Sequence, residues 1–231
     1  MPTPRGAIGL AEYNGKLFAI GGIGTNGNSA AVEMYDPVTD TWMPRATLPT
    51  PRDHLAVATS NQKIYAIGGR VGGDFNQNLT SVEAYDPIAD RWERVADLPT
   101  PRSGIAAGII DYIIYVVGGE SSQTTFDLNH AYFPKTDHWE RRASIPTSRH
   151  GLGVLSVHGR LYILCGGPST GATYTNVNEV FIPALPALIM SPSAAIVDPL
   201  VLRVMCRSGC VRRRTDRVCL YSRMRDTRDT S

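Results

Sequence analysis

Short apolar segments separated by turn-forming residues recur along residues 1–183 of the chain. In one stretch a mostly apolar segment precedes an Asn61-Gln62 turn, and a second apolar segment ends in a Gly-Gly pair. A Gly- and Asn-rich loop, a third apolar segment and an Asp86-Pro87 turn follow. Segments of this length bounded by such residues are typical of antiparallel strands joined by hairpins. Four strands are predicted here, at residues 54–59, 63–67, 81–85 and 92–96.

The same unit recurs along the chain in one register. Gly-Gly pairs stand at 21–22, 68–69, 118–119 and 166–167, and an arginine precedes each pair at a nearly constant distance. In three units a tyrosine is followed by an aspartate and then a tryptophan, always at the same spacing. A repeat of this regularity predicts a stack of similar supersecondary units. Its structural markers are Gly21, Gly22, Gly68, Gly69, Gly118, Gly119, Gly166 and Gly167, with Tyr35, Tyr85, Tyr132, Trp42, Trp92 and Trp139.

This set of markers resembles the kelch repeat, whose period is about 50 residues. The resemblance is carried by the Gly-Gly pairs, by the Tyr/Trp spacing and by the segments VEMYDP at 32–37 and VEAYDP at 82–87, and it covers residues 1–183. It implies an all-β fold, a kelch-type β-propeller built from four-stranded antiparallel blades. It also implies partner binding, because most kelch domains are protein-binding modules.

Four units are expected, at about residues 1–47, 48–97, 98–144 and 145–183. In the fourth unit Phe181 takes the tyrosine place, but Leu188 and Pro186 stand where the tryptophan and the aspartate belong. One extra residue between Tyr162 and the glycine pair suggests a β-bulge. The propeller is therefore expected to be incomplete, with three full blades plus three strands of a fourth.

The charge distribution separates the repeats from an irregular C-terminal tail. Residues 1–183 carry a net charge of −3, whereas residues 184–231 contain nine arginines, no lysine and three of the four cysteines, with a net charge of +5. We expect the tail to be disordered or frame-shifted and the chain to be a fragment of a longer kelch protein. Because each blade face is apolar and expects a neighbour, the two end faces are expected to be exposed and to favour self-association.

Candidate partner-binding residues lie beside the first strand of each unit. In a four-strand blade, the loops that enter the first strand and the loops between the second and third strands emerge on one face, and such loops commonly carry function. The repeated arginines recur in every unit, which favours an architectural role, whereas their neighbours differ between units, which favours specificity. The candidates are Arg52, Asp53, His54, Arg102, Ser103, Arg149, His150, Arg70 and Glu120. The loops at 24–29, 70–78, 120–127 and 168–174 join them.

The sequence therefore predicts a non-enzymatic interaction module that binds a protein or peptide through blade loops on one face. Two alternatives stay open: a sugar-processing enzyme similar to sialic-acid mutarotases or galactose oxidase, and a non-functional fragment. The oxidase relatives need a crosslinked Tyr–Cys pair and histidine ligands for copper, and Cys165 is the one cysteine of the propeller. A mutarotase would use Arg70, Glu120 or His150 for acid–base chemistry. Nothing in the spacing selects these residues, so no catalytic residue is predicted.

No cofactor, metal or nucleic acid is expected. Cys165 lies in a predicted strand, where burial is the usual fate of a free cysteine, and three tail cysteines without a histidine make an incomplete zinc site. The basic run at 212–214 lacks the interleaved aromatic residues of a nucleic-acid-binding segment. No apolar run has the length of a membrane span and no leader is visible, which favours a cytoplasmic location and no membrane partner.

Overall fold

The computed structural model describes residues 1–183 and 220–223, and every regular element in these residues is a β-strand. None of the described residues forms a helix, so none forms one that could cross a membrane. In chain order the strands are β1 (Gly9–Tyr13), β2 (Lys16–Ile20), β3 (Ile23–Gly24), β4 (Gly27–Asn28), β5 (Val32–Asp36), β6 (Thr41–Pro44), β7 (Ala56–Ser60), β8 (Lys63–Ile67), β9 (Val82–Asp86), β10 (Arg91–Val95), β11 (Ala106–Ile110), β12 (Ile113–Val117), β13 (Asn129–Phe133), β14 (His138–Arg141), β15 (Gly153–Val157), β16 (Arg160–Leu164), β17 (Asn178–Ile182) and β18 (Leu220–Arg223).

The strands form four antiparallel sheets, which we call blades one to four. Their strand orders are β1-β2-β5-β6, β7-β8-β9-β10, β11-β12-β13-β14 and β15-β16-β17-β18. The short strands β3 and β4 form a separate hairpin in the loop between the second and third strands of blade one. In blade two the observed strands agree with the predicted ones to within two residues. The predicted all-β fold of four-stranded antiparallel blades is confirmed.

The Tyr/Trp spacing reflects the pairing of the third and fourth strands of a blade. Tyr85 lies opposite Trp92 in the β9–β10 ladder, with ring centroids 5.0 Å apart. The Tyr85 hydroxyl donates to Asp90 at 2.5 Å in the intervening turn, where Asp90 adopts a φ of 50°. Trp92 Nε1 donates to the carbonyl of Ala46 in the preceding blade at 2.9 Å. The aromatic markers therefore shape a turn and also fasten one blade to the next.

Three hydrophobic clusters lie between successive blades. Between blades one and two, Phe18 and Ile20 pack with Ile64 and Tyr85, and all four side chains are buried. Burial of this apolar surface is the main force that holds neighbouring blades together. The first strands follow one another in the order β1, β7, β11, β15. Within residues 1–183, blade four does not pack back onto blade one.

The Gly-Gly pairs permit a close approach between blades. In blades one to three the second glycine of the pair donates its N–H to the carbonyl of the next blade's arginine, as Gly22 does to Arg52 at 2.8 Å. The first glycine, Gly21, has a φ of 64°, and a Cβ there would lie 2.8 Å from the same carbonyl oxygen. A side chain at this position would meet both backbone strain and a steric clash.

In blade four the glycine pair is displaced by one residue. Cys165, with a φ of 55°, occupies the first glycine place, and Gly166 occupies the second. The bulge expected after Tyr162 is wrong, because β16 has the same length as β8 and pairs with β15 without an extra residue. The expected burial of Cys165 is also wrong. Its side chain is exposed, since no further blade covers it among the described residues.

The fourth strand of blade four comes from outside the repeat. The repeat supplies three strands, as expected, and β18 then pairs antiparallel with β17, with Phe181 opposite Tyr221. The rest of 184–231 lies outside the described residues, and so do the tail cysteines and the basic run. The domain boundary at 183 and the predicted character of the tail stay predictions.

Candidate partner-binding face

Short antiparallel bridges join the two kinds of loop that were predicted to share a face. Arg70 N–H donates to the Asp53 carbonyl at 2.9 Å, and Asp53 N–H donates to the Arg70 carbonyl at 3.0 Å. Each blade has this bridge between the residue after its repeated arginine and the residue after its two glycine places. The equivalent bridges are Gly6–Ile23, Ser103–Glu120 and His150–Gly167. Side chains that differ from blade to blade are thereby brought together at one end of the blades.

The repeated arginines, in contrast, point into their own blades. Arg52 is fully buried and forms an ion pair of 2.8 Å with Glu83, and it also donates to the carbonyl of Ala66 at 2.9 Å. Burial lowers the pKa of the Arg52 guanidinium, and Glu83 opposes that shift. Equivalent ion pairs are Arg5–Glu33 and Arg149–Glu179. Three predicted partner-binding residues are thus withdrawn as contacts, because they have no exposed surface: Arg52, Arg102 and Arg149.

Blade three replaces the carboxylate partner with a histidine. Arg102 Nη2 donates to His130 Nδ1 at 3.2 Å, and both residues are buried. Burial lowers the pKa of Arg102 to about 9. Burial, together with the positive charges of Arg102 and Arg141, lowers the pKa of His130 to about 4. His130 is therefore a neutral acceptor at neutral pH, and no ion pair of the described residues compensates Arg102.

An ionic cluster links blades two and three. Arg70 Nη1 donates to Glu120 Oε1 at 3.1 Å and to Ser103 Oγ at 3.3 Å. Arg70 Nη2 donates to His54 Nε2 at 3.1 Å, so His54 donates from Nδ1 to Asp53 Oδ1 at 2.5 Å. All of these residues except His54 are buried. Such a network rigidifies its surroundings because Arg70 makes charge-assisted bonds to several partners at once.

Blade four joins the same cluster through His150. Its Nδ1 lies 3.3 Å from Glu120 Oε1, and its Nε2 donates to the carbonyl of Ser169 at 3.1 Å. Glu120 Oε2 accepts from the N–H of Gly171 at 3.2 Å. Glu120, itself part of blade three, is therefore bonded to blades two and four at once. It occupies the place that Gly167 takes in blade four, where a Cβ would collide with the His150 ring.

The loops between second and third strands form the rim around this cluster. The guanidinium of Arg70 stacks over the ring of Phe75 at 4.1 Å, which extends the cluster toward the surface. A cavity of about 220 Å³ opens between these loops and is lined by Asp74, Phe75, Asn76, Ser122, Thr170 and Gly171. Tyr174 projects from the blade-four loop. We call this surface the axis face, comprising the cluster residues Asp53, His54, Arg70, Ser103, Glu120 and His150 and the rim loops at 70–78, 120–127 and 168–174.

Three contributors to the axis face were not singled out from the sequence. Asn28 Nδ2 donates to Asp53 Oδ2 at 2.6 Å from the blade-one hairpin, and Phe75 and Gly171 make the contacts described above. Phe75 could have been singled out from the sequence, because it is the one aromatic residue of the 70–78 loop. The other two act through a side-chain amide and a backbone N–H, which no local pattern distinguishes.

The succession of four-stranded antiparallel blades, which pack face to face and are also joined at their glycine places, defines the molecule as a β-propeller. The kelch motif matches residues 4–49, 51–99 and 101–146, which together make up more than half of the chain. The chain belongs to the kelch repeat family, whose typical role is protein binding.

The fold is similar to the solved structure of YjhT. The two chains share 18% sequence identity with a TM-score of 0.68, and the match covers 78% of this chain and 62% of that one. This chain therefore spans less than two thirds of the length of YjhT, and a likeness at this identity concerns the fold alone. Among curated protein sequences no similar one is found.

Proposed function

We propose that this propeller is a non-enzymatic interaction module that binds a protein or peptide through the axis face. One observation carries the proposal: the side chains of the repeated arginines are buried in the blades, whereas the residues that differ between blades converge on one face. A recurrent scaffold under a variable surface is the arrangement expected of a recognition module.

Within the axis face, the cluster and the rim have separate roles. Glu120 and Asp53 are buried and already paired, so they hold the loops in place instead of offering free charge. Partner contacts fall to the partly buried Phe75, to the partly exposed imidazole of His54 and to Tyr174, which is 92% exposed. Aromatic side chains on a preorganised surface are the usual anchors of a protein interface.

Site-specific photo-crosslinking tests this proposal because it captures a partner whose identity is open. A benzoylphenylalanine replaces Tyr174 on the rim in one variant, and in a matched variant it replaces Tyr112, which is 66% exposed in a turn on the opposite face. In the native cell, illumination should give discrete crosslinked adducts from position 174 and background alone from position 112. Phe75→Ala in the first variant should reduce the adducts. Equal labelling from both positions, or none from 174, contradicts the proposal.

An acid–base enzyme is the second candidate, and one contact favours it. Glu120 and His150 lie 3.3 Å apart, and Glu120 also accepts from Gly171, which lines the 220 Å³ cavity. A carboxylate next to an imidazole is a common proton-transfer pair. Both Glu120 oxygens are occupied by protein donors, which weighs against direct contact with a substrate. Exchange between sialic-acid anomers, followed by NMR with the wild type and Glu120→Gln, separates the two functions. A wild-type rate equal to the uncatalysed rate removes this candidate.

A further inference from the structure

The cavity on the axis face has room for one amino-acid side chain. Its volume is about 220 Å³, below the roughly 300–1,000 Å³ of small-molecule pockets. Each of the three rim loops contributes to its wall, as Phe75, Ser122 and Gly171 show. Because the wall comes from three blades, a side chain inserted here meets parts of all three. The cavity is therefore suited to anchor a single residue of a partner protein.

The blade-two wall of the cavity is held in place by its own hydrogen bonds. Asp74 N–H donates to the Val71 carbonyl at 3.1 Å, and Gln77 N–H donates to the Asp74 carbonyl at 3.0 Å. Asp74 Oδ1 accepts from Asn76 N–H at 2.9 Å and from Asn76 Nδ2 at 3.1 Å. The loop is also tied to the ionic cluster, since Gly73 N–H donates to a carboxylate of that cluster at 3.2 Å. A wall fixed in this way loses little conformational entropy when a ligand binds.

The polar side-chain atoms left over in the wall are mainly hydrogen-bond acceptors. Because a carboxylate only accepts, Asn76 turns its amide nitrogen toward Asp74, which leaves Asn76 Oδ1 and Asp74 Oδ2 without a donor among the described residues. The hydroxyls of Ser122 and Thr170 have no partner among these residues either. The Gly171 N–H, a possible donor, is already bonded to the ionic cluster. The wall is therefore complementary to a ligand that is rich in donors.

The exposed charge on the axis face is negative. Asp74 is exposed and takes part in no ion pair of the described residues, and the same holds for Asp127 in the next rim loop. Arg70, the one arginine of the axis face, is buried with Asp53 at 3.3 Å and Glu120 at 3.1 Å, so its charge is compensated. At the cavity an anionic group is therefore repelled by Asp74, whereas a cationic group is attracted.

We propose that the cavity binds a lysine or arginine side chain of the partner protein, with Asp74 as its counter-charge. This inference rests on the proposed binding function of the axis face and names the chemistry of the partner. The ammonium or guanidinium group donates to Asp74 Oδ2, to Asn76 Oδ1 and to the hydroxyls of the wall, and it brings no acceptor that would be left unpaired. Its methylene stem packs on the part of the Phe75 ring that the Arg70 guanidinium leaves uncovered.

NMR titration of the ¹⁵N-labelled full chain measures this preference. The probes are blocked glycine peptides that hold a single arginine, citrulline or glutamate, and citrulline has the shape of arginine without its charge. One anchored side chain gives an affinity in the millimolar range, which chemical shifts still detect. The arginine peptide should shift the amide signals of Asn76, Ser122 and Gly171, with a dissociation constant at least about fivefold lower than that of the citrulline peptide. The glutamate peptide should shift none of these signals.

Two substitutions that remove the same charge separate the cavity from the rest of the surface. Asp74→Asn removes the counter-charge and should weaken binding of the arginine peptide about fivefold. Asp111→Asn removes an exposed carboxylate from a turn on the opposite face and should leave the dissociation constant unchanged. Both positions are exposed, and the ¹⁵N spectra check that the variants fold. Equal binding by the two variants, or equal binding of the citrulline or glutamate peptide by the wild type, overturns the basic anchor.

Photo-crosslinking from position 174 distinguishes failure of this inference from failure of the proposed function. Adducts that Asp74→Arg abolishes and Asp111→Arg retains support the basic anchor. Adducts that persist in both variants keep the proposed function and overturn the basic anchor. A chain that gives no adduct but binds the arginine peptide as described loses the proposed function and keeps the cavity's preference for a basic side chain.

Discussion

The buried pair of Arg102 and His130 predicts an unusual dependence of stability on pH. In the other blades the equivalent arginine faces a glutamate, as Arg52 faces Glu83, whereas in blade three a neutral imidazole must accept the hydrogen bond. Protonation of His130 would place a second positive charge 3.2 Å from the guanidinium in a buried site. The folded state therefore resists taking up this proton, while the unfolded chain does not.

The size of the effect follows from the two pKa values of His130. Burial and the charge of Arg102 lower its pKa from 6.5 to about 4 in the folded state. Between these values the unfolded chain binds more protons than the folded one, so the free energy of unfolding falls as the pH falls. The loss begins near pH 6.5, is complete below the folded pKa and amounts to about 3 kcal/mol, since each pKa unit corresponds to about 1.4 kcal/mol. Well above pH 6.5, His130 is neutral in both states and contributes no pH dependence.

Urea unfolding followed by tryptophan fluorescence between pH 4 and pH 8 measures this slope. His130→Gln keeps an acceptor for Arg102 without a titrating group, and His130→Glu supplies the carboxylate found in the other blades. Both variants should lose most of the slope between pH 6.5 and pH 4, whereas His158→Gln, in an exposed turn, should keep it. The native carboxylates that titrate in the same range are common to all variants, and His130→Gln adds none. If His130→Gln retains the wild-type slope, the buried Arg–His pair is not its cause.

Two further substitutions probe the scaffold, each against a matched control, by urea unfolding at pH 7. Glu83→Gln leaves the buried Arg52 without its counter-charge and should cost about 3–5 kcal/mol, whereas Glu93→Gln, in an exposed ion pair, should cost less than about 1 kcal/mol. Gly118 and Gly72 have φ of 65° and 66°, but a Cβ would lie 2.4 Å from a backbone oxygen at the first and meet nothing within 4 Å at the second. Gly72→Ala should therefore cost about 1 kcal/mol and Gly118→Ala at least about 2 kcal/mol more; equal costs would mean that the blades do not approach as closely as described.

The repeat markers could be predicted from the sequence because each reflects a local or regularly recurring constraint. The Tyr85–Trp92 spacing is fixed by one hairpin register, and a glycine pair is fixed by positive φ beside a neighbouring carbonyl. In blade four the same rule gave the wrong register. Cys165 occupies the first glycine place, and Gly166, the first residue of the visible pair, occupies the second. Sequence spacing cannot reveal this shift, because nothing in the sequence shows that Cys165 adopts a positive φ.

The ionic cluster was beyond sequence reasoning for a different physical reason. Arg70, Glu120 and His150 were each named as candidates, but they come from three blades, and their pairing depends on how those blades pack. Likewise, Glu83 lies in the VEAYDP segment at 82–87, but the sequence does not show that it pairs with Arg52. The charge of a residue can be read from its type, whereas its partner is set by the three-dimensional register of strands far apart in the chain.

If the axis face binds a partner as proposed, the ionic cluster couples recognition to stability. Arg70 of blade two bonds to Glu120 of blade three, and Glu120 bonds to Gly171 of blade four, so the varied residues are themselves clasps between blades. A substitution at Glu120 should therefore disturb the position of two rim loops as well as any partner contact. Tyr174 lies at the rim and outside the ionic cluster, so its removal tests recognition without loosening the blades. A loss of binding at Tyr174 with unchanged stability would separate the recognition surface from the framework that holds it.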